Sequence, residues 1–324
     1  MKSLIIILML SLSFGHLITP ENGADITFIY VLFEWEQEPD AVIYNLQVSN
    51  QQSFNNIIVD VEEATTVYVE TENLSWHDTY YWRIRSIYSN GSFGEWSEIS
   101  NFNIGGKKFP ERDADIYNGD LLQDGLVAFG GFAPTLASAV IDKYGNEIWN
   151  TGLVGYDGEQ SEGFIINHIN EYGNIYGLSG YNHPNNTGCK INHDLDILWS
   201  APTDDPAYAV DIHEIKQIPN GHYMAFVPDY RLGPIPEGSW SFIYQSMGYQ
   251  VDGITDEYPW IGMRIVEWNE EGDEVWNWDP FEHFTMDDTD LYGGTWWNFN
   301  AGTHDWMHSN AFHFDEEESV IYVS

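Results

Sequence analysis

A repeated strand-turn-strand pattern in the second part of the chain constrains the fold most. In each copy an apolar strand is followed by a polar turn and by a second strand that ends in tryptophan. The copies occupy residues 139–149, 190–199 and 265–276. Hairpins of a second kind alternate with them, and these are headed by His168, His213 and His308. The alternation predicts units of about four strands.

Four-stranded units with tryptophans between them are typical of a β-propeller. Trp149, Trp199 and Trp276 recur at equivalent repeat positions, so we expect them to pack between blades. Roughly three to four blades are visible, too few to close a ring, and we expect a C-terminally incomplete propeller over residues 110–324. Residues 228–262 and 278–304 do not fit the repeat, and we predict that they form long loops over one mouth of the channel.

Residues 20–104 show a different pattern of short strands with alternating apolar side chains and no helical periodicity. Their order resembles the fibronectin type III sandwich, in the positions Leu74, Tyr80, Trp82, Ile84, the run Gly94-Glu95-Trp96-Ser97 and Phe102. Tyr80 matches the tyrosine corner of such sandwiches, whose hydroxyl is tied to nearby backbone. Residues 105–108 are the predicted linker. The predicted fold class is therefore all-β, a sandwich followed by a propeller.

The first 15 residues predict an export signal. Lys2 is followed by an apolar stretch from Leu4 to Leu12, with small residues at Ser13 and Gly15 where a peptidase could cut. The apolar stretch is too short to span a bilayer, and no other segment qualifies. We therefore expect a secreted or periplasmic protein with no membrane span.

The formal net charge of -40, from 51 acidic and 11 basic residues, repels phosphate backbones within about 10 Å in moderate salt. Nucleic acid is therefore not an expected partner. The surface is suited to salty water. Calcium at Asp287, Asp288 and Asp290 is an alternative use of the acidic residues, but no EF-hand spacing supports it. The sequence makes no prediction of the oligomeric state.

Motifs in the second part of the chain resemble the arylsulfotransferases. They are Glu267-Trp268, Gly272, and residues 275–283, 305–310, 211–214 and 218–222. The resemblance implies a six-bladed, exported propeller that moves a sulfuryl group from a phenolic sulfate donor to a phenol acceptor through a sulfohistidine. It implies no nucleotide or other cofactor, and the chain contains no phosphate-binding loop motif, which agrees.

By motif, His213 and His308 match two histidines that converge in that family, and we assign them to sulfate binding or proton transfer. Imidazole suits both roles because it changes charge near neutral pH. The resemblance places the family's arginine just past Ser324 and the histidine that carries the sulfuryl group further on. The chain as given is therefore expected to be inactive alone.

Further side chains are predicted to contact the substrate. His304 and Asn310 flank His308, and His168 heads the analogous earlier hairpin. Flat aromatic faces that could stack on a phenol lie just before His308, at Trp296, Trp297, Phe299 and Trp306, with Trp306 the leading candidate. A zinc site at His304, Asp305 and His308 is an alternative, but no glutamate or third histidine has a convincing spacing, and no metal is expected.

Two other functions remain open at this stage. The principal alternative is a noncatalytic propeller that binds a ligand or a protein through its aromatic loops. The second is a quinone-dependent dehydrogenase, whose propeller also repeats a turn and a tryptophan. That enzyme would need calcium ligands and a cofactor platform, and the sequence shows no such constellation.

Overall fold

The chain is described here from a computed structural model. The residues that the structure describes are 16–109, 118–131, 137–151, 164–179, 187–202, 210–211, 213–285, 288, 296 and 302–324. The predicted export signal lies outside these residues, as do Asp287, Asp290, Trp297 and Phe299. Strands account for 47% of the structure and helices for 6%, so the predicted all-β class is confirmed. The chain divides into two compact units, of which unit 1 comprises Met1–Ala128 and Ala139–Gly152, and unit 2 comprises Phe129–Ser138 and Leu153–Ser324.

Unit 1 contains two sheets whose inner faces share one core. The first has the order β1-β3-β6, with β1 (Leu17–Thr19), β3 (Val31–Trp35) and β6 (Val67–Glu70). The second has the order β2-β8-β7-β4-β5, with β2 (Ala24–Ile26), β4 (Ala41–Ser49), β5 (Ile57–Glu63), β7 (Thr79–Tyr88) and β8 (Ser100–Ile104). The β2–β8 pair is parallel, and the other pairs are antiparallel.

Aromatic side chains from both sheets fill this core. Every second residue of β3 is buried, and its central Phe33 meets Trp82 edge-on at 5.2 Å between ring centroids and Phe102 at 5.9 Å. Period-two burial is what a strand with one face in the core requires. Tyr80 Oη accepts a hydrogen bond from the Ser75 amide at 2.9 Å, so the predicted tie from this hydroxyl to nearby backbone is confirmed.

The first repeat copy forms a hairpin of β10 (Ala137–Ile141) and β11 (Glu147–Asn150), and β9 (Val127–Gly131) is the third strand of that sheet. A short 3-10 helix, Gly119–Leu121, precedes it. The Ile29 amide donates to the Ile148 carbonyl and the Asn150 amide to the Thr27 carbonyl, both at 2.9 Å. These bonds join β11 to residues 27–29 within unit 1.

Unit 2 contains the four-strand unit that the repeat predicts. One sheet has the order β12-β13-β14-β15, all antiparallel, with β12 (Phe164–Ile169), β13 (Ile175–Ser179), β14 (Thr187–Ile191) and β15 (Ile197–Ser200). The next has the order β16-β17-β18-β19, with β16 (Ile215–Gln217), β17 (Tyr223–Gly233), β18 (Tyr258–Trp268) and β19 (Glu274–Trp278). The hairpin of β21 (Phe312–Asp315) and β22 (Val320–Val323) follows. Within the described residues no sheet closes on itself.

Trp199 packs between the sheet of β12–β15 and the sheet that contains β16–β19. Its ring stacks on Tyr223 at 3.7 Å, and its indole N–H donates to the Glu270 carbonyl at 3.1 Å. Trp149 is also buried, but Trp276 is 41% exposed, so the prediction of packing is wrong for that residue. Trp199 and Trp276 both lie on edge strands, and Trp199 is buried because Tyr223 and Trp268 of the next sheet pack against it.

The predicted long loops are partly strands. Residues 223–233 and 258–268 form one continuous antiparallel ladder from Tyr223↔Trp268 to Gly233↔Tyr258. The helices α1 (Ser241–Ser246) and α2 (Pro280–His283) lie in the remaining parts of these segments. The extension holds its own core, which we call the aromatic cluster: Ile235, Tyr244, Val251, Tyr258, Trp260 and Trp296, with Trp240, Tyr249, Phe281 and Trp306 packed against it. This core supplies the burial that lets the segments form regular structure. In the part of the chain that is described, no helix has the length and apolar character needed to cross a membrane.

Candidate functional site

The candidate site lies at the heads of β16 and β21, where a histidine is held by an aspartate. The Asp211 carboxylate accepts a hydrogen bond from the His213 amide at 3.0 Å and contacts the His213 ring at Nδ1. The Asp305 carboxylate does the same for His308, with the amide at 3.1 Å and the ring again at Nδ1. We call these arrangements the Asp–His pairs.

Local backbone geometry explains both pairs. The carboxylate of a short acidic side chain readily accepts a hydrogen bond from the backbone amide of a residue two or three positions later in the chain. This bond closes a compact turn. His308 has φ of 43°, in the left-handed region that non-glycine residues seldom adopt. The flanking chain is anchored, because the Asp211 amide donates to the Phe226 carbonyl at 2.8 Å and the Asn310 amide to the Ser324 carbonyl at 2.7 Å. Both histidines are therefore held in place by backbone as well as by carboxylate.

A carboxylate at Nδ1 determines what the other ring nitrogen can do. In the neutral ring it favours the proton on Nδ1, which leaves Nε2 as an acceptor, and in the charged ring it stabilises the cation. The side chains of His213 and His308 are 38% and 68% exposed. No described residue hydrogen-bonds to either Nε2. Each pair can thus take a proton from a ligand, or donate one to an anionic oxygen.

Lys216 links the strands that follow the two histidines. Its ammonium donates to the Phe312 carbonyl on β21 at 2.7 Å and forms an ion pair with Glu214 at 3.1 Å. The Phe312 ring meets Phe226 edge-on at 5.3 Å. Strands β16 and β21 are therefore packed together, with a cation between them. The sequence predictions missed Lys216, although its position three residues after His213, on the strand that follows it, could have suggested it.

His168 does not head its hairpin, contrary to the prediction. It is the fifth of the six residues of β12. The turns after β12 and β16 share the same backbone hydrogen bonds and a glycine with positive φ, Gly173 and Gly221. Counted back from these glycines, His168 corresponds to Lys216 and not to His213. Burial lowers the pKa of His168 below 6.5, and the positive charge of Lys216 lowers it further. Its predicted contact with substrate stays a prediction.

His304 is buried, unlike the histidine four residues after it. It lies on β20 (His304–Asp305), a short strand parallel to β18 that pairs it with Trp260. Its ring stacks on Trp296 at 3.9 Å and meets Trp260 edge-on at 4.7 Å. Burial lowers the pKa of His304 from 6.5 to about 4, although the Asp305 charge opposes the shift. The imidazole is therefore neutral at pH 7.

Trp306 and Asn310 complete the predicted set. Trp306 is half-buried, with its ring 5.0 Å from Phe281 and its indole N–H donating to the Asp288 carbonyl at 3.2 Å. Asn310 is exposed, and its side-chain amide donates to the His308 carbonyl at 2.7 Å. The structure thus places Asn310 against one Asp–His pair, and packs Trp306 into the aromatic cluster beside it.

Among the residues that the structure describes, no three His, Cys, Asp or Glu side chains form a group that could hold a metal ion. The chain matches no protein-family model, and no curated protein matches it. The functional argument therefore depends on the geometry of the Asp–His pairs.

Proposed function

We propose that unit 2 binds a phenolic sulfate ester at the two Asp–His pairs and takes part in moving its sulfuryl group to a phenol acceptor. The observation that carries the proposal is the recurrence of one arrangement at the heads of β16 and β21. In both, a turn amide and a ring Nδ1 are bound by one carboxylate. The two histidines are also those that the arylsulfotransferase motifs single out.

The fold belongs to the same proposal. Two successive sheets, each with a path of four antiparallel strands and with Trp199 between them, support a propeller of the arylsulfotransferase kind. In unit 1, sheets of three and five strands around an aromatic core, with the Tyr80 corner, support a fibronectin type III sandwich. A secreted or periplasmic location is proposed from the sequence alone.

Sulfuryl transfer requires a proton donor and a proton acceptor, and the Asp–His pairs can supply both. When the sulfur–oxygen bond of the donor breaks, the departing phenolate needs a proton, which an imidazolium can supply from Nε2. When the acceptor phenol forms its new sulfur–oxygen bond, it loses a proton, which a neutral imidazole can accept at Nε2. Asp211 and Asp305 stabilise the imidazolium in each case. Lys216 is paired with Glu214 and bonded to the Phe312 carbonyl, so its role in the proposal is to hold β16 and β21 together.

The noncatalytic alternative draws on a different surface. The extension formed by β17, β18 and α1 presents exposed apolar side chains, of which Phe242 is 70% and Ile254 83% exposed. Such side chains favour contact with a partner. Of the aromatic residues that the sequence assigned to ligand stacking, Trp296 and Trp306 belong to the aromatic cluster. Binding through this extension would not involve either Asp–His pair.

Calorimetric titration of the chain with 4-nitrophenyl sulfate tests the proposal. We expect saturable binding that weakens about tenfold in His213→Gln and in His308→Gln, since each variant loses a charge-assisted hydrogen bond. His313→Gln is the matched control, because His313 is also exposed, on β21, and no aspartate of the described residues contacts its ring. Release of nitrophenol, with and without an acceptor phenol, is followed in the same samples. Neither histidine is assigned the carrier role, so affinity is the decisive readout.

The outcomes separate the two functions. Absence of saturable binding over a range of salt concentrations would overturn the sulfate-ester proposal. Unchanged affinity in both histidine variants would mean that the ligand binds away from the Asp–His pairs, and would favour the noncatalytic alternative.

A further inference from the structure

Two arginines of unit 1 differ from the other arginines that the structure describes. Arg231 forms ion pairs with Asp229 and Asp279, and Arg264 forms one with Glu274. Within the described residues, Arg83 and Arg85 form no ion pair with a carboxylate. The chain has 51 acidic residues and 11 basic ones, so an arginine without an acidic partner is unexpected. Two such arginines stand side by side on β7.

Aromatic rings hold both guanidinium groups. Arg83 lies 4.0 Å from the Phe54 ring centroid and 4.1 Å from that of Trp96. Arg85 lies 4.4 Å from Trp96 and 4.0 Å from Phe93. The five side chains form one stack in which cations and rings alternate, and we call it the arginine ladder. Stacking covers the flat faces of each guanidinium and keeps its charge, while the N–H groups remain at the edge.

Neutral amides, and not carboxylates, border the ladder on the neighbouring strand β4. Arg83 donates from Nε and Nη2 to Gln47 Oε1, at 3.2 and 2.8 Å, and Arg85 donates from Nε to Asn45 Oδ1 at 3.1 Å. Both amides in turn donate to Asp60, which lies one strand further away. An arginine carries five N–H donors, so most of those on Arg85 are left for an external acceptor.

We propose that the arginine ladder is a binding site for a carboxylated polysaccharide. The planar guanidinium fork matches the two oxygens of a carboxylate. Arg83 and Arg85 are alternate residues of one strand, about 6.6 Å apart along it, so both charges act on one carboxylate that is bound at the fork of Arg85. Phe93 ends the ladder and is 53% exposed, so it offers a flat face to a sugar ring.

The negative net charge of the protein repels densely charged anionic polymers and therefore favours a sparsely charged one. Duplex DNA carries one charge per about 1.7 Å of axis and would place many phosphates against an acidic surface. A polysaccharide with a carboxylate on every second sugar can meet the ladder while the other charges are screened beyond about 10 Å. The acidic remainder of the chain also suppresses nonspecific binding of anions. This proposal does not rest on sulfuryl transfer, because the ladder belongs to unit 1.

Hyaluronan, which has a carboxylate on alternate sugars, is the probe. The whole chain is passed over immobilised hyaluronan, over hyaluronan with methyl-esterified carboxylates, and over polyglutamate. We expect binding to hyaluronan alone, weakened by added salt. Arg85→Gln should reduce the affinity about tenfold, since one charge-assisted contact is lost. Arg264→Gln is the matched control, and we expect it to leave the affinity unchanged.

A second variant distinguishes the loss of a binding contact from a folding defect. Arg85→Lys keeps the charge and loses the fork, so we expect an affinity between those of the unaltered chain and Arg85→Gln, with an unchanged thermal unfolding midpoint. Equal binding to the esterified polymer would overturn the proposal, as would no binding at all. Stronger binding to polyglutamate would replace the polysaccharide with an acidic peptide.

Discussion

His304 and His308 are four residues apart, yet the fold gives them opposite surroundings. His304 is 3% exposed and lies between the rings of Trp260 and Trp296. The His308 side chain is 68% exposed and is held by Asp305. Burial in an aromatic environment disfavours the charged form of the His304 imidazole. The comparison shows that a histidine next to a functional motif can belong to the buried core. For His304, that burial determines the protonation state of the ring.

Acid titration gives the largest expected effect. The pKa of His304 is lowered from 6.5 to about 4 in the folded protein, so the unfolded chain binds the extra proton first. Stability is therefore fully present above pH 6.5 and is lost as the pH falls through 4, by about 3 kcal/mol in total. Urea unfolding of unit 2 across this range measures it, with His304→Phe as reference. An equal acid dependence in the His304→Phe variant would contradict the assignment.

Truncation of each histidine separates the two environments directly. We expect His304→Ala to lower the free energy of unfolding by about 2 kcal/mol, because the stack with Trp296 is lost and a cavity remains. We expect His308→Ala to change it by less than about 0.5 kcal/mol, as for most exposed positions. Chemical denaturation followed by tryptophan fluorescence measures both. Equal losses in the two variants would mean that His308 is also part of the core.

Neutralising the aspartates tests what the Asp–His pairs contribute. Asp305→Asn should weaken binding of 4-nitrophenyl sulfate about tenfold, or about 1.4 kcal/mol, because the imidazolium loses its stabilising charge. Asp211→Asn should act similarly at His213. Asp194→Asn is the matched control, since Asp194 lies beside the exposed His193 in the turn between β14 and β15. An equal loss in the control would show that overall charge, and not the pair, governs affinity.

The smallest expected effect is in the tautomer of the imidazole. With Asp305 at Nδ1, the neutral ring of His308 should carry its proton on that nitrogen, and the nitrogen-15 chemical shifts of the ring report this. Asp305→Asn should move the population toward the Nε2 tautomer. A predominant Nε2–H form in the unaltered chain would remove the proposed acceptor from the outward side of the ring.

Sequence patterns predicted the local structure well where neighbours along the chain determine it. The repeated hairpins appear as β10–β11, β14–β15 and β18–β19, and the four-strand unit appears in β12–β15. The predictions failed where contacts with a segment distant in the sequence determine burial or secondary structure. Trp276 has the same repeat position as Trp199 and, like it, lies on an edge strand, but Trp199 is covered by Tyr223 and Trp268 of the next sheet while Trp276 is exposed. The predicted loops extend β17 and β18 because the aromatic cluster gives them a core.

The candidate site divides in the same way. His213 and His308 were predicted from short motifs, and each aspartate lies within three residues of its histidine, so the pairs are local. Lys216 was missed because its significance comes from the Phe312 carbonyl, 96 residues away. His168 was expected at the head of a hairpin, but the position of the turn moves it along β12 to the place that corresponds to Lys216.

The sequence by itself determined the all-β class, the repeating hairpins and the turns that place an aspartate beside His213 and His308. Alternation of side chains and turn chemistry act over a few residues, and they can be read directly from the order of amino acids. Only the tertiary structure decided which tryptophans are buried, that His304 is neutral, and that Arg83 and Arg85 stack in one ladder. Burial and desolvation depend on which distant segments meet, and a linear pattern does not contain that information.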